Sequence, residues 1–423
     1  MKKFLILIGL LLSGLIWSHG SVKSEPDYKN SNAIINFPDT VDRLTLVADL
    51  HTHSIFSDGH VWPNIRVEEA LRNGLDVLAI TEHLEYQPHI AYIPNKDRNA
   101  AYLEANQAAI GSKLIVLAGS EITRSMPPGH MNAIFLKDSN KLLNLDKKNQ
   151  AEAQRQIEEG KFGLNLKNSQ ERQMADHFAL ANIWPVTEAV LAANEQGAFV
   201  FWNHPMWISQ AKDGVARLTN MHKVLINKNQ LHGIEIVNDD TFSKEAFEIA
   251  LDNNLTLIGT SDVHNLIEWD YSIREGEHRP VTLIFAKERT PKSLKEALFE
   301  GRTTVWFKDV LIGKETNLVP LLQSVISIKS LGYQEGTQVD ATAETTILTV
   351  IIRNNSSTKL QLQNQSIYTF IKSTDLIEIS SNSEIKLEVK TLKKLDNLQL
   401  DFRVLNALIT PNNNPIISLI VKI

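Results

Sequence analysis

DLHTHSIFSDG, residues 49–59, places His51 and His53 two apart directly after an apolar run, with Asp58 five residues further on. In a strand, residues i and i+2 point to the same face. Two imidazoles on one face at the end of a buried strand can grip a single metal ion. An H-x-H pair by itself is a weak signal, and here it is the first of six such places.

The others follow along the chain. A short helix with Val67, Ala70 and Leu71 on its apolar face is closed by Gly74. The strand Asp76 to Ile80 runs into Thr81-Glu82-His83, and Leu114 to Ala118 runs into Gly119-Ser120-Glu121. His130 stands just before the strand-like Met131 to Leu136, which breaks the pattern of ligands following strands. Ala198 to Trp202 leads into Asn203-His204-Pro205, and Leu255 to Gly259 leads into Thr260-Ser261-Asp262-Val263-His264. Polar ligands at the C-terminal ends of successive strands are what a barrel-type site requires. The set is His plus Asp and Glu, and the chain has no cysteine. That chemistry suits Zn, Mn or Fe and excludes thiolate-rich sites, disulfides and cysteine nucleophiles. Carboxylates that can bridge, Glu121 and Asp262, suit a cluster of ions.

The order H-x-H…Asp, E-H, Glu, His, N-H-P, D-x-H resembles the PHP (polymerase and histidinol phosphatase) metallohydrolases over roughly residues 44–310. The resemblance implies a distorted seven-stranded (β/α) barrel with two or three divalent ions (Mn, Zn or Fe). Carried over by position, the first ion would take His51, His53, Glu121 and Asp262. The second would take Asp58, His83 and His264, and the third Glu121, His130 and His204. Glu82 stands where many relatives carry Asp before the His, a position that is not normally a ligand. The strings SDGHVWPNIRVEEA, ITEHLEYQPH, GSEITRSMPPGHMNAIFL and FWNHPMW are similar to the exported phosphodiesterase branch, the Sb-PDE type. That likeness implies hydrolysis of a small-molecule phosphodiester by a hydroxide held between two ions. Asp262 and His264 then belong to the ions that hold the nucleophile.

Arg124, in a Pro/Gly-rich loop past Glu121, is a candidate clamp on a phosphate oxygen, with a surface arginine as the plain alternative. Arg279, beside His278 and before the strand Val281 to Phe285, is a second candidate for substrate. Tyr86, Trp62 and Trp207 flank the ligand motifs and are candidate pocket walls, with core packing as the alternative. His60, His89, His177, His222 and His232 read as ordinary structural histidines. No phosphate-binding P-loop, dinucleotide fingerprint or serine nucleophile elbow is present.

At 423 residues the chain has room for a large and a small domain. A net charge of −6 argues against a general nucleic-acid binder. Lys2-Lys3, the apolar Phe4 to Trp17 and Ser18-His19-Gly20 read as a signal peptide over 1–20. The apolar stretch is short for a membrane span, so a periplasmic or extracellular address is expected. Residues 21–43 read as a polar tether and 44–317 as the barrel, with a polar helical insertion at 137–185. Residues 318–423 carry short β-rich runs between Asn- and Ser-rich turns, which predicts a small β-sandwich. Two other functions fit the sequence: a PHP phosphomonoesterase, and an idle metal scaffold whose C-terminal domain binds a polymer. Oligomeric state is not legible.

Overall fold

The computed structural model describes residues 34–144, 146–334 and 346–423; the expected leader and the tether as far as residue 33 lie outside the described residues. The first strands, β1 (Leu44–Asp49), β2 (Val77–Ile80) and β3 (Ile115–Ile122), are parallel neighbours. β4 (Met131–Ile134) is antiparallel to both β3 and β5 (Phe199–Trp202). β6 (Gly233–Asn238) is parallel to β5, carries the short hairpin partner β7 (Thr241–Phe242), and is parallel to β8 (Thr256–Thr260). These strands are apolar and buried along most of their length, as strands covered on both faces must be.

The sheet curls until its ends meet. The ends of β1 and β8 join through His53 N–H to the Val263 carbonyl at 3.1 Å and Asp262 N–H to the His51 carbonyl at 3.0 Å. Further down, β9 (Val281–Ala286) pairs antiparallel with β1. It meets β8 through Thr282, whose hydroxyl donates to the Gly259 carbonyl at 2.8 Å and accepts the Gly259 N–H at 3.0 Å. The result is the expected distorted barrel. β10 (Thr303–Phe307) and β11 (Val310–Gly313) extend the sheet beyond β9.

Some local expectations change. The helix Pro63–Arg72 buries Val67 and Ala70, but Leu71 is exposed. Arg66 and Glu69 take the inner face instead, paired at 2.7 Å, and Arg66 Nε donates to the His53 carbonyl at 2.8 Å. A buried ion pair survives there because it holds the ligand loop by hydrogen bonds. Residues 34–38 are not a free tether. Ile35 and Phe37 are buried, and Phe37 packs edge-on to Trp306 at 5.2 Å. The insertion contains the helices Lys147–Glu158 and Ser169–Ile183, capped by Asp146 and Asn168, around a small core of Ala153, Ile157, Ala175 and Ala179.

The expected boundary at 317/318 falls inside the helix Glu315–Val325. Beyond it lie two four-stranded antiparallel sheets. One holds β12 (Ile326–Tyr333), β13 (Thr346–Asn354), β15 (Thr369–Ile371) and β17 (Glu384–Thr391). The other holds β14 (Leu360–Asn364), β16 (Leu376–Ile379), β18 (Asn397–Val404) and β20 (Ile416–Lys422). β20 alternates buried and exposed residues throughout, the signature of a strand with one wet face. The remaining strand, β19 (Ala407–Leu408), pairs with β11 of the barrel sheet. One apolar core runs from Leu78 and Leu283 through Leu318 and Leu322 to Leu348 and Leu400.

Candidate metal centre

The sequence candidates converge at one rim of the barrel. His51 and His53, fully buried, bring their Nε2 atoms to 3.0 Å. Asp262 Oδ1 lies 3.1 Å from the first and 3.2 Å from the second. Asp58 stands between His83 Nε2 at 3.3 Å and His264 Nε2 at 3.2 Å. Glu121 accepts from His130 Nδ1 at 2.9 Å, lies 3.4 Å from His204 Nε2, and also meets His83. His130 reaches this rim because β4 runs antiparallel to β3. The residue before β4 therefore sits where its neighbours end.

Three groups have ligand atoms within 4.8 Å of one another: His53, Asp58, His83 and His264; His51, His53 and Glu121; His83, Glu121 and His130. Two observations fit divalent ions. Asp58 Oδ1, Glu121 Oε2 and Asp262 Oδ1 are buried without a hydrogen-bond donor, so each has a free lone pair where a cation would sit. The protonation pattern is also at odds with itself. Burial lowers His51, but Asp262 and Glu235 outweigh it and raise the imidazole to about 10. Burial together with His264 and His83 lowers its neighbour His53 to about 3. Burial raises Asp58, Glu121 and Asp262, yet the surrounding imidazoles hold all three well below the usual carboxylate range. Anionic oxygens among crowded imidazole nitrogens form a donor set suited to Zn, Mn or Fe.

Backbone geometry aims the ligands. His204 has φ 27° and Asp262 has φ 51°, both in the left-handed region. Each such residue costs on the order of 1–3 kcal/mol. Both backbone N–H groups are pinned, His204 by Glu235 Oε2 at 2.7 Å and Asp262 by the His51 carbonyl at 3.0 Å. In the Asp58 turn, a Cβ on Gly59 would lie 2.8 Å from the His53 and Ser54 backbone, so only glycine fits.

The substrate candidates divide. A cleft of about 530 Å³ opens over Asp58, His83, Glu121, His130, His204, Asp262 and His264, with Trp207 in its wall. Trp207 stands edge-on to His130 and His204. Tyr86 is half-buried and edge-on to His83 at 5.9 Å, outside the cleft lining. Trp62 is exposed and packs on Phe56, away from the cleft. Arg124 is not a free clamp. The buried Glu85 carboxylate captures its guanidinium, and Nη2 donates to the Trp184 carbonyl at 3.1 Å. Arg279 is buried too, donating to Asp49 Oδ2 at 3.1 Å and Asn73 Oδ1 at 2.9 Å. Asp49 also accepts from the Ser261 hydroxyl at 2.6 Å, so Arg279 braces the junction of β1 and β8.

The main residue missed in the sequence is Glu235, fully buried on β6. Its Oε1 lies 2.8 Å from His51 Nδ1 and takes the Thr260 hydroxyl at 2.7 Å. Its Oε2 takes the His204 N–H at 2.7 Å and Asn238 Nδ2 at 3.0 Å. The available signal was a lone carboxylate inside the apolar run Gly233-Ile-Glu-Ile-Val-Asn238. Glu82 is not a ligand; it ties down the loop by accepting from Ser54 N–H at 3.1 Å and from the Ser54 and Ser57 hydroxyls.

A family model described as an Ig-like domain matches residues 334–420. No curated protein matches the chain. Among solved structures, a two-domain protein from Bacteroides vulgatus containing a predicted PHP-like metal-dependent phosphoesterase is 32% identical. That match covers 91% of this chain and 97% of the other, with a TM-score of 0.73. A candidate metal-dependent phosphoesterase from Bifidobacterium adolescentis is 19% identical over 51% of this chain and 87% of its own, with a TM-score of 0.34. An amidohydrolase from Chromobacterium violaceum with bound sulfate and no metal is 17% identical over 55% and 97%, with a TM-score of 0.32. The last two scores are too low to bear on fold or function.

Proposed function

This chain belongs to the PHP-like metal-dependent phosphoesterases, and from that premise we propose that it is an exported phosphodiesterase. The observation that carries the choice of diester is the cleft lining. Among the described residues that line it there is no lysine or arginine, while Asp239, Asp240 and Asp270 stand along it. A dianionic monoester would usually be met by cationic side chains beside the ions. A diester has one charge and a second arm to house, for which the cleft has room and an apolar neighbour in Trp207.

When bound, divalent ions would supply a hydroxide nucleophile at neutral pH and neutralise phosphate oxygens. His51, His53, Glu121 and Asp262 would hold one, Asp58, His83 and His264 a second, and a third would share Glu121 with His130 and His204. Glu235 keeps the His51 ring turned so that Nε2 faces the other ligands. Arg124 takes no part at phosphorus in this reading. It braces the wall through Glu85, whose other oxygen accepts the Thr123 N–H at 2.9 Å, and the Thr123 hydroxyl lies 2.7 Å from His83 Nδ1.

The test compares kcat/KM for bis(p-nitrophenyl) phosphate and p-nitrophenyl phosphate at saturating metal and neutral pH. The diester should be preferred, with turnover lost on chelation and restored by Mn, Zn or Fe. A preferred monoester would replace this reading with a phosphomonoesterase, and turnover of neither would favour an idle scaffold. Export rests on the leader pattern of residues 1–20. N-terminal sequencing of the native protein should begin near Ser21; an intact Met1 would contradict cleavage.

A further inference from the structure

A second cavity, of about 440 Å³, is lined by Lys96, Arg98, Asn140, Lys141, Asn144 and Trp184 and shares no lining residue with the central cleft. Its cations are short of counter-charge. Arg98 Nη1 donates to the Asn95 carbonyl at 2.6 Å, while Nε is buried with no acceptor. Burial lowers Arg98 to about 10, so it stays charged at neutral pH. Among the described residues Arg98 has no carboxylate partner, and Asp138 acts on Lys141 only through space. The indole N–H of Trp184 is likewise buried without an acceptor.

The neighbouring acids are engaged by asparagines. Asp97 Oδ1 accepts from Asn99 N–H at 3.0 Å and Asn140 Nδ2 at 2.8 Å. Asp138 Oδ1 accepts from Asn99 Nδ2 at 2.9 Å and Asn140 N–H at 3.0 Å. Asn140 Oδ1 in turn accepts the Arg98 backbone N–H at 2.9 Å. Two asparagines thus hold one oxygen of each carboxylate and fix the loop that carries the arginine.

We propose that this cavity is a second, non-catalytic anion site that binds a phosphoryl group. A tetrahedral oxyanion offers several acceptor oxygens at once, and a planar guanidinium matches them in pairs. The cavity exceeds what bare phosphate fills, leaving room for an organic portion. The site borders the catalytic wall, since the Trp184 carbonyl accepts from Arg124 Nη2 at 3.1 Å.

The test is calorimetric titration of the metal-loaded protein with inorganic phosphate and with glycerol 3-phosphate, alongside crystals soaked in tungstate. Wild type should show a phosphate site beyond the metal centre and tungstate density against Arg98. Arg98→Met should weaken that site at least 10-fold. The double variant Lys96→Ala/Lys141→Ala, altering only exposed side chains, should weaken it as well and serves if Arg98→Met fails to fold. Tighter binding of glycerol 3-phosphate would support an organic phosphate as ligand, and tighter binding of inorganic phosphate would support the free ion. An empty cavity in the tungstate soak, or unchanged affinity in the double variant, would overturn the proposal. Neither outcome depends on which ester is hydrolysed.

Discussion

Glu235 holds three parts of the rim at once: the His51 ring, the His204 backbone and, through Asn238, the neighbourhood of Asp262. Glu235→Gln keeps the shape but gives up the charge that orients an imidazole. A loss of roughly 10–100-fold in metal affinity or activity is expected, the usual effect of altering a group behind a ligand. Metal content by mass spectrometry, read beside kcat, checks it; unchanged occupancy would remove Glu235 from this role. Among the direct candidates, His51→Ala and Asp262→Asn should abolish turnover and lower bound metal, since Asp262 Oδ1 and the Nε2 atoms of His51 and His53 converge within 3.2 Å. His130→Ala should do less, because its contacts run to Glu121 alone among the carboxylates. Equal metal content in all three variants and wild type would contradict the placement.

Arg279, a substrate candidate in the sequence, acts instead between elements, and so does His222, which reads there as a structural histidine. Arg279 joins the end of β1 to the loops after β8 and after the first helix. Removing one partner of such a buried pair typically costs roughly 3–5 kcal/mol. Arg279→Met should therefore lower the denaturant midpoint sharply while the folded enzyme keeps its KM; raised KM at unchanged stability would restore the substrate role. His222, on the helix Asn220–Asn227, stacks on Trp202 of β5 at 3.9 Å. Its Nδ1 accepts the Thr219 N–H at 3.1 Å and its Nε2 donates to the Pro128 carbonyl at 2.6 Å, a pattern only the neutral ring satisfies. Burial lowers its pKa from 6.5 to about 4. The unfolded chain binds the proton first, so this contribution is full above about pH 6.5 and is lost as pH falls toward 4. The slope is at most about 1.4 kcal/mol per pH unit. Unfolding free energies of wild type and His222→Gln across that window should converge at the acid end; parallel curves would refute the assignment.

Across the whole molecule, the barrel and the β-sandwich share a core rather than a hinge. Leu318, Leu321, Leu322 and Val325 are fully buried on the helix that joins them, and β19 of the C-terminal part pairs with β11 of the barrel sheet. Each such side chain is worth roughly 1.5–3 kcal/mol on burial. Uncovering a few would consume a net stability of roughly 5–15 kcal/mol. Calorimetry should show one cooperative transition for the described parts; two resolved transitions would mean independent domains. The sequence by itself determined the barrel, the β-rich C-terminal domain and the rim candidates. Those signals are local: apolar runs ending in His, Asp or Glu, and i, i+2 spacing that puts two rings on one face. It could not determine that Arg124 and Arg279 would be captured by Glu85 and Asp49, because a buried carboxylate's position is set by chain segments far apart. Nor could it assign Glu235, whose four partners span residues 51 to 260. His130 reads as an exception in sequence and becomes regular only once β4 is seen to run antiparallel. Strand direction, like the pairing of buried charge, is a property of the closed barrel and of no single stretch of chain.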